Sequence, residues 1–303
     1  MTAATAASRP GRLHAWRMAA RPPTLPAAAA PVAVGTALAI RDDAFALLPA
    51  LAALFGALCL QVGANFANDV FDHEKGADTA ERLGPPRASQ LGLLTPRELK
   101  TGMAAAFGLA TLAGLYLAWV GGWPVVAIGL ASIAAAVIYT GGPWPIGYHA
   151  LGDLFTFIFF GLVAVMGTYY VQAGTVTWFS FAAAVPVGAT VTMILVVNNL
   201  RDIPTDRRAG KTTLGVVLGE RGTRWWFAAL LALALAVPAG ATVAGAAPPG
   251  AAAAAAAGVL AWPLLRQVSG GASGRALNPV LKGTARFALW HALLWAAAIA
   301  IRP

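Results

Sequence analysis

Long apolar runs alternate with short polar segments along most of the chain. Nine of these runs approach or exceed the roughly 20 residues that an α-helix needs to cross a bilayer. The pattern therefore predicts an all-α integral membrane protein with nine transmembrane helices. The predicted spans are residues 24–40, 46–68, 101–120, 123–140, 153–172, 177–199, 224–241, 249–265 and 284–301.

The composition agrees with a membrane protein. Of the 303 residues, 58% are hydrophobic and 11% are charged, whereas about 25% of the residues of soluble globular proteins are charged. The formal net charge of +9 does not indicate nucleic-acid binding, because the basic residues lie in short loops between apolar runs. There they indicate membrane topology and contact with anionic headgroups. The single cysteine, Cys59, cannot form an intrachain disulfide.

The distribution of lysine and arginine supports nine spans. With this number, all basic residues except Arg41 and Arg302 fall on one side of the membrane, and the positive-inside rule makes that side cytoplasmic. Residues 1–23 then form a cytoplasmic tail, and the C-terminus lies on the opposite side. A cleaved signal peptide is the alternative for the basic N-terminus, but the apolar stretch continues to Ile40 and further spans follow.

Of the 12 acidic residues, ten lie on the predicted cytoplasmic side, where two clusters occur at the ends of the second and sixth spans. Residues 68–72 (NDVFD) and 198–202 (NNLRD) share the pattern Asn-x-x-x-Asp, and a further acidic residue, Asp78 or Asp206, follows each. The copies lie four spans apart and point the same way. They predict two four-helix units in parallel arrangement plus a ninth helix, with chance similarity of short motifs as the alternative.

The two acidic clusters favour a bound cation. Carboxylates at a helix C-terminus face the negative end of the helix dipole, so clustering them there is otherwise unfavourable. Asn68 and Asp72 are four residues apart and lie on one helix face. Asp202 and Asp206 have the same spacing, although Pro204 is expected to break the helix between them. Oxygen ligands without a His or Cys cluster suit Mg²⁺ or Mn²⁺; solvated loop acids paired with neighbouring cations are the alternative.

Basic residues near both motifs could hold an anion. Arg82 and Arg87 lie in a Gly/Pro-rich loop after the first motif, and Lys211 follows a glycine after the second. Together with a metal ion they predict a diphosphate site. The chain has no P-loop pattern, and the two arginines also satisfy the positive-inside rule.

A third polar loop follows the fourth span and is rich in aromatic residues. Tyr139, Trp144 and Tyr148 could stabilise a developing cation or form an interfacial aromatic belt. His149 is a candidate base or a solvated side chain, and Asp153 is expected to cap the next helix. The three loops together predict an intramembrane site for a diphosphate attached to a lipid-soluble group.

The two acidic motifs resemble the Asp-rich signatures of the UbiA superfamily of intramembrane aromatic prenyltransferases. NDVFD is similar to the first signature and DIPTD, residues 202–206, to the second. Within the superfamily the chain looks most like the 1,4-dihydroxy-2-naphthoate polyprenyltransferases of the menaquinone pathway. The stretches that carry this likeness are RPPTLPAA, NDVFDHEKGADT, RLGPPRASQLGLL, YTGGPWPIGYHALGD and NNLRDIPTDRRAGKTTLGVVLG.

The resemblance implies one domain, residues 24–303, with nine helices around a central cavity. It implies transfer of a polyprenyl group from polyprenyl diphosphate to an aromatic acid. In the naphthoate branch the ring carboxylate is lost and demethylmenaquinone forms. It further implies two Mg²⁺ ions, with Mn²⁺ as a substitute, and a place in the bacterial cytoplasmic membrane.

The resemblance also implies roles for individual residues. The metal site would comprise Asn68, Asp69, Asp72, Asp78, Asp202 and Asp206, with Asp72 and Asp202 also assigned to catalysis. Arg82, Arg87 and Lys211 would contact the diphosphate. Tyr139 would stabilise the allylic cation or position the ring. The superfamily often has its third acidic residue where this chain has Gly76, which leaves the role of Asp78 open.

Other functions remain as alternatives. The nearest is the same fold acting on 4-hydroxybenzoate, homogentisate or a tetrapyrrole. A CDP-alcohol phosphotransferase also uses Asp-rich Mg²⁺ sites, but its Asp-Gly-x-x-Ala-Arg signature is absent from the sequence. An ion-coupled transporter would place acids near the middle of spans with access from both sides, whereas these acids lie at span ends on one side.

Overall fold

A computed structural model of the protein describes residues 11–76 and 81–301. These residues form nine helical segments and no β-strand. In chain order they are α1 (Arg12–Ala20), continued by α2 (Leu25–Arg41); α3 (Leu47–Glu74); α4 (Pro96–Gly121); α5 (Trp123–Ile138); α6 (Gly152–Thr156), continued by a π-helical segment (Phe157–Val163) and α7 (Ala164–Ala173); α8 (Trp178–Arg208); α9 (Leu214–Val243); α10 (Ala252–Ala256), continued by α11 (Gly258–Ser269); and α12 (Leu277–Ala300). Asp78 and Arg302 lie outside the described residues.

The segments confirm an all-α, multi-pass membrane protein. Each of the nine predicted spans coincides with a helical segment of the described chain. Seven segments are long and apolar enough to cross a membrane. Helix α5 is apolar but has only 16 residues, and α12 is not among the seven. Length and hydropathy thus identify most of the spans without settling the number of crossings.

Both motif helices extend further at their C-terminal ends than predicted. Helix α3 continues to Glu74 and α8 to Arg208. The Asn-x-x-x-Asp motifs therefore lie near the C-terminal ends of their helices: α3 ends six residues after Asn68, and α8 ends ten residues after Asn198. Both motifs thus occupy the same end of a long helix.

The expected helix break at Pro204 is wrong. Helix α8 continues through this proline. Proline removes one backbone hydrogen bond, but the Thr205 hydroxyl donates to the carbonyl of Asp202 at 2.9 Å and the Ala209 amide donates to the carbonyl of Thr205. The turns on either side of the missing bond are therefore held, and Asp202 and Asp206 stay on one helix face.

Helix α8 is the most buried of the predicted membrane helices. Within its most apolar 18-residue stretch, 72% of the residues are buried. Helices α9 and α12 and the π-helical segment pack against it. Helix α12 also packs on α2, and the indole of Trp295 donates to the carbonyl of Ala183 in α8 at 3.1 Å. The last helix therefore connects the two halves of the bundle.

Close packing of α3 on α4 depends on Gly63. A Cβ at this position would lie 2.4 Å from the Phe107 ring. We predict that Gly63→Ala lowers the free energy of unfolding by about 1–3 kcal/mol, because the ring must move within a packed interface. Gly108→Ala on α4 is the control, because its Cβ would meet no described atom within 4 Å. Thermal unfolding in detergent checks this, and equal melting temperatures for the two variants would contradict it.

Candidate active site

Asp72, in the last turn of α3, accepts bonds from three side chains. Its side chain is only 4% exposed. Its Oδ2 lies 2.8 Å from Arg87 Nη2, and its Oδ1 lies 2.9 Å from Lys211 Nζ. The Tyr148 hydroxyl donates to the same Oδ1 at 2.7 Å. Two cations therefore face one buried carboxylate, which leaves an excess of positive charge for an anionic ligand.

Three loops bring these partners to Asp72. Arg87, in the loop after α3, also donates to the main-chain carbonyl of Asn68. Lys211 lies in the loop between α8 and α9, where the Thr212 amide donates to the carbonyl of Tyr148 at 3.0 Å. The Lys211 ammonium also lies 4.5 Å from the centroid of the Tyr148 ring, within cation–π distance. The two loops from different halves of the chain are thus bound to each other as well as to α3.

Lys75 adds a third cation at the edge of this cluster. Its Nζ lies 5.0 Å from the Tyr148 ring centroid and donates to the carbonyl of Gly142 at 3.1 Å. Partial burial lowers the pKa of Lys75; the carboxylate of Asp72 raises it and the ammonium of Lys211 lowers it further. The lowered pKa reflects mainly the loss of hydration around the ammonium group, and an anion bound beside Lys75 would favour its charged form.

The second motif is held by an arginine within it. Both carboxylate oxygens of Asp202 accept from Arg201, at 2.8 Å from Nε and 2.6 Å from Nη2. Arg201 is buried and also donates to Asn198 at 2.6 Å and to Asn278 at 2.9 Å. Asn278, on α12, donates in turn to the carbonyl of Leu83 at 3.0 Å. The second motif is therefore connected through α12 to the loop that follows the first.

The remaining acidic candidates differ in their surroundings. Asp206 lies one turn beyond Asp202 and is half-buried, and its carboxylate makes no hydrogen bond or ion pair with the described part of the chain, although its main-chain carbonyl accepts from the Lys211 amide at 2.9 Å. Asp69 is buried and accepts from the hydroxyl of Ser89, and its Oδ2 has no partner among the described residues. Asp69 is thus directed at the loop after α3 rather than at the second motif.

The donor set fits a divalent oxygen-binding cation. No cluster of three or more His, Cys, Asp or Glu side chains occurs within residues 11–76 and 81–301. Mg²⁺ does not require one, since it uses one or two carboxylates and completes its shell with water and phosphate oxygens. The carboxylates of Asp72, Asp202 and Asp206 and the amide of Asn68 are oxygen donors of this kind. The carboxylate of Asp206, without a described protein partner, is the one most open to such an ion.

An apolar cavity of 520 Å³ begins beside the charged cluster. Asn68 and Tyr139 line its polar end, and the rest of its wall is mostly aliphatic. The Tyr139 hydroxyl lies against Gly152, where a Cβ would approach it to 2.7 Å. Tyr139 therefore stands where the charged cluster meets the apolar space, as its predicted role requires.

The structure does not bring every predicted residue to this centre. Arg82 lines a second pocket of 420 Å³ together with Arg275, Asn278 and Lys282, and the lining of that pocket does not include Asp72. Its Nε donates to the carbonyl of Pro85 at 2.9 Å. Arg82 is therefore placed beside the Asp72 cluster rather than in it.

The expected cap at Asp153 is wrong. The helix begins at Gly152, and Asp153 lies in its first turn. Its buried carboxylate accepts from Asn199 at 3.3 Å and from the indole of Trp226 at 3.2 Å. These partners come from α8 and α9, and a cap prediction considers only the local sequence.

The candidate base His149 is exposed, and its described side-chain contacts are with its own loop. Its ring stacks on Trp144 at 4.1 Å between centroids, and its Nδ1 lies 2.8 Å from the carbonyl of Pro145. Sequence reasoning missed Arg201 and Asn278 and did not assign Tyr148 its bond to Asp72. Arg201 lies inside the second motif and could have been found there, whereas nothing in the sequence around Asn278 points to the site.

Comparison with known proteins identifies the family. The chain matches the UbiA prenyltransferase family over residues 28–290. It belongs to that family. It is 44% identical over 289 residues to 1,4-dihydroxy-2-naphthoate octaprenyltransferase of Mycobacterium tuberculosis, which covers 94% of this chain and 96% of the relative. It is 38% identical over 234 residues to the Escherichia coli protein of the same name, which covers 73% of each chain.

The fold is also similar to a solved UbiA structure. A UbiA homologue from Archaeoglobus fulgidus bound to GPP and Mg²⁺ superposes with a TM-score of 0.68 at 16% identity, covering 94% of this chain and 99% of that one. The family resemblance seen in the motifs is thus confirmed, and the protein is a membrane prenyltransferase. The roles of individual site residues stay predictions.

The buried Arg87–Asp72 pair is expected to matter for stability. We predict that Arg87→Met lowers the free energy of unfolding by about 2 kcal/mol, because it removes one of the two charged partners of a buried carboxylate. The control is Arg208→Met, which removes the ion pair between Arg208 and Glu81 at 2.9 Å. The side chains of this pair are 63% and 65% exposed. That change is expected to cost about 0–1 kcal/mol. Equal shifts in the denaturation midpoint of the two variants in detergent would contradict the prediction.

Proposed function

We propose that this protein transfers a polyprenyl group from polyprenyl diphosphate to 1,4-dihydroxy-2-naphthoate. The ring carboxylate is lost as CO₂, and the products are diphosphate and demethylmenaquinol, the reduced form of demethylmenaquinone. The observation that carries the proposal is the meeting of a buried cationic cluster with an apolar cavity at Asn68 and Tyr139. A prenyl diphosphate has the same division into a highly charged head and an apolar chain. The naphthoate acceptor is supported by the names of the M. tuberculosis and E. coli relatives.

Arg87 and Lys211 are the proposed contacts of the diphosphate. Both already hold Asp72, at 2.8 and 2.9 Å, so their charged ends are positioned before the donor binds. Guanidinium and ammonium groups make strong charge-assisted bonds with phosphate oxygens. Arg82, with Arg275 and Lys282 beside it, would attract the donor from the cytoplasmic face.

The acidic motifs are the proposed metal site. Asn68 and Asp72 would hold one Mg²⁺ ion, and Asp202 and Asp206 a second, with Mn²⁺ able to replace either in an oxygen site. Bound there, the ions would neutralise the charge that develops on the leaving diphosphate. Asp78 belongs to the proposal although it lies outside the described residues. Asp69 would contribute through its bond to Ser89, which holds the loop carrying Arg87.

The protein's own groups would guide the organic step. When the bond between the allylic carbon and the diphosphate breaks, its electron pair leaves with the diphosphate, and the cation stays near Tyr139. The Tyr139 ring would stabilise that cation by a cation–π contact. The electron-rich acceptor ring then donates an electron pair to the allylic carbon and forms the new carbon–carbon bond. Cleavage of the bond between the ring and its carboxylate releases CO₂, and the electron pair of that bond restores the aromatic ring. The apolar cavity excludes water, which would otherwise capture the cation.

The proposed topology is nine crossings of the bacterial cytoplasmic membrane, with the N-terminus and site loops cytoplasmic and the C-terminus opposite. Ion pairs concentrate at the end of the bundle that carries the site, for example Lys100–Glu74 at 2.7 Å and Arg12–Glu98. At the other end, Arg41 donates to the carbonyl of Ala246 at 2.9 Å. This asymmetry supports a cytoplasmic site.

Removal of either motif charge is predicted to abolish transfer. Asp72→Asn and Asp202→Asn should each reduce turnover of polyprenyl diphosphate and 1,4-dihydroxy-2-naphthoate by at least about 100-fold, because each removes a charge from the metal site. The control is Asp42→Asn at the opposite end of the bundle, where Asp42 accepts from the Tyr169 hydroxyl. Near-wild-type product formation by either motif variant, in membranes with equal amounts of protein, would refute its assignment.

The metal and the acceptor can be tested in one assay. Membranes that contain the protein should prenylate 1,4-dihydroxy-2-naphthoate and release CO₂ with Mg²⁺ present, and should lose this activity in EDTA. The loss is expected because a diphosphate leaving group needs neutralisation. Prenylation of 4-hydroxybenzoate or homogentisate instead would refute the acceptor. Undiminished activity in EDTA would refute the metal site.

The topology predicts which loops a membrane-impermeant thiol reagent can reach. In a Cys59→Ala background, Ala209→Cys after α8 should be labelled only in inside-out vesicles. Ala244→Cys after α9 should be labelled only in right-side-out vesicles. Both positions are exposed, so the sidedness of labelling reports topology. Labelling of both from the same side would contradict the odd number of crossings between them.

A further inference from the structure

The wall of the apolar cavity is uneven. Much of it consists of small side chains, among them Gly56 and Ala57 on α3, Ala110 and Gly114 on α4, and Gly129 and Ala136 on α5. Apart from Tyr139, the aromatic residues that line it within the described chain are three phenylalanines from the segment that begins with α6: Phe155, Phe159 and Phe160. The largest rings of the wall therefore belong to one element.

That element departs from α-helical geometry. Residues Phe157–Val163 form a π-helix, in which the Ala164 amide donates to the carbonyl of Phe159, five residues earlier. Phe155 and Phe159 stack within the segment, 6.0 Å between centroids. Single π-helical turns are rare in proteins, and many of those that do occur are found at functional sites. Here the π-helical segment presents Phe159 and Phe160 to the cavity.

The opposite face of the π-helical segment rests on α8 through a glycine contact. A Cβ at Gly161 would lie 2.6 Å from the Cα of Gly188, and a Cβ at Gly188 would lie 3.0 Å from Phe157. Backbone therefore touches backbone between the two elements. Any side chain at Gly161 must push the π-helical segment away from α8, and the cavity lies on the side towards which it would move.

The position of the rings along the cavity places them beside the chain rather than the diphosphate. Tyr139 and Asn68 line the charged end, whereas Val171 lines the wall on α7. Phe159 and Phe160 lie about one turn beyond Phe155. The segment that carries them runs away from the charged end, and at about 1.5 Å per residue it covers roughly 24 Å between Phe155 and Val171. The first isoprene units would reach as far as the rings, and only a longer chain must extend beyond them.

We propose that the Gly161–Gly188 contact, by setting how far Phe159 and Phe160 project into the cavity, determines which prenyl chain lengths the enzyme accepts. The inference rests on the proposed function, because it takes the cavity as the site of the donor chain. It adds a specificity-determining device that lies away from the acidic motifs. A long donor must thread past both rings, whereas a short donor ends near them.

The test compares two donors, geranyl diphosphate and all-trans-octaprenyl diphosphate, with 1,4-dihydroxy-2-naphthoate as acceptor. Gly161→Ala is expected to lower kcat/KM for the octaprenyl donor by about tenfold, the scale on which a pocket discriminates small changes of apolar shape. The kcat/KM for the geranyl donor should change by less than about twofold, because its short chain makes little contact with the altered part of the wall. The double variant Gly161→Ala/Phe160→Ala should recover the octaprenyl activity, because removing the ring returns the lost space.

Two further variants keep the test decisive. Gly240→Ala on α9, where a Cβ would meet no described atom within 4 Å, is the matched control and should leave both donors unchanged. Phe160→Trp enlarges the wall from the cavity side without altering the glycine contact, so it gives the same test if Gly161→Ala does not fold. It should also reduce the octaprenyl activity selectively.

The outcomes separate this inference from the proposed function. Equal losses with both donors, or no loss with either, would overturn the role of the glycine contact while leaving prenyl transfer intact. Absence of product from the wild-type protein with every donor would instead overturn the proposed function. A selective loss that Phe160→Ala reverses would support the inference.

Discussion

The ion pairs of Asp72 are the constraint on which the rest of the site depends. A carboxylate that is only 4% exposed loses its hydration, and unpaired it would be strongly destabilising. Arg87 and Lys211 pair with it from two loops that are far apart in the sequence, and Tyr148 donates a hydrogen bond to it from a third loop. Because these loops pack on α3, their cations lie together at one end of the bundle. One buried charge thus both holds the loops on α3 and brings cations together at one place.

The apolar cavity distinguishes this cluster of cations from basic residues that only determine membrane topology. Exposed cations at a membrane surface can simply follow the positive-inside rule. Here the cations meet a 520 Å³ apolar space at Asn68 and Tyr139, so head and chain of one amphipathic molecule can be held together. The cavity lies among helices because glycine and alanine leave room between them, whereas Gly161 and Gly188 bring backbones into contact. Small residues therefore leave room for the cavity between some helices and allow direct backbone contact between others.

The sequence predicted those features that depend on long runs or short motifs. Hydropathy located all nine helical segments, because a helix in a bilayer must be apolar over most of its length. The paired motifs located Asp72 and Asp202, because the four-residue spacing places each aspartate on the same helix face as the first asparagine of its motif. The break at Pro204 was predicted wrongly, since local propensity does not account for a helix held by its neighbours on both sides.

Features that depend on distant parts of the chain could not be predicted. Asn278 reaches Arg201 and Leu83 from the last helix, and its surroundings in the sequence carry no recognisable pattern. Asp153 is held by Asn199 and Trp226 from two other helices. The three cavity phenylalanines lie in a uniformly apolar run, so periodicity cannot show which of them face the interior. Three-dimensional contacts alone distinguish these residues from ordinary packing.

The central claim is that one site binds a diphosphate by charge and its chain by apolar contact. Calorimetric titration of the purified protein with geranyl diphosphate and with geraniol, each with Mg²⁺ or with EDTA, tests it most directly. The account predicts that geranyl diphosphate binds with Mg²⁺ at least about 100-fold more tightly than geraniol, since the charged head makes several charge-assisted bonds. It also predicts that EDTA weakens the diphosphate and leaves geraniol unchanged. Equal affinities for the two ligands, or indifference of geranyl diphosphate to EDTA, would contradict it.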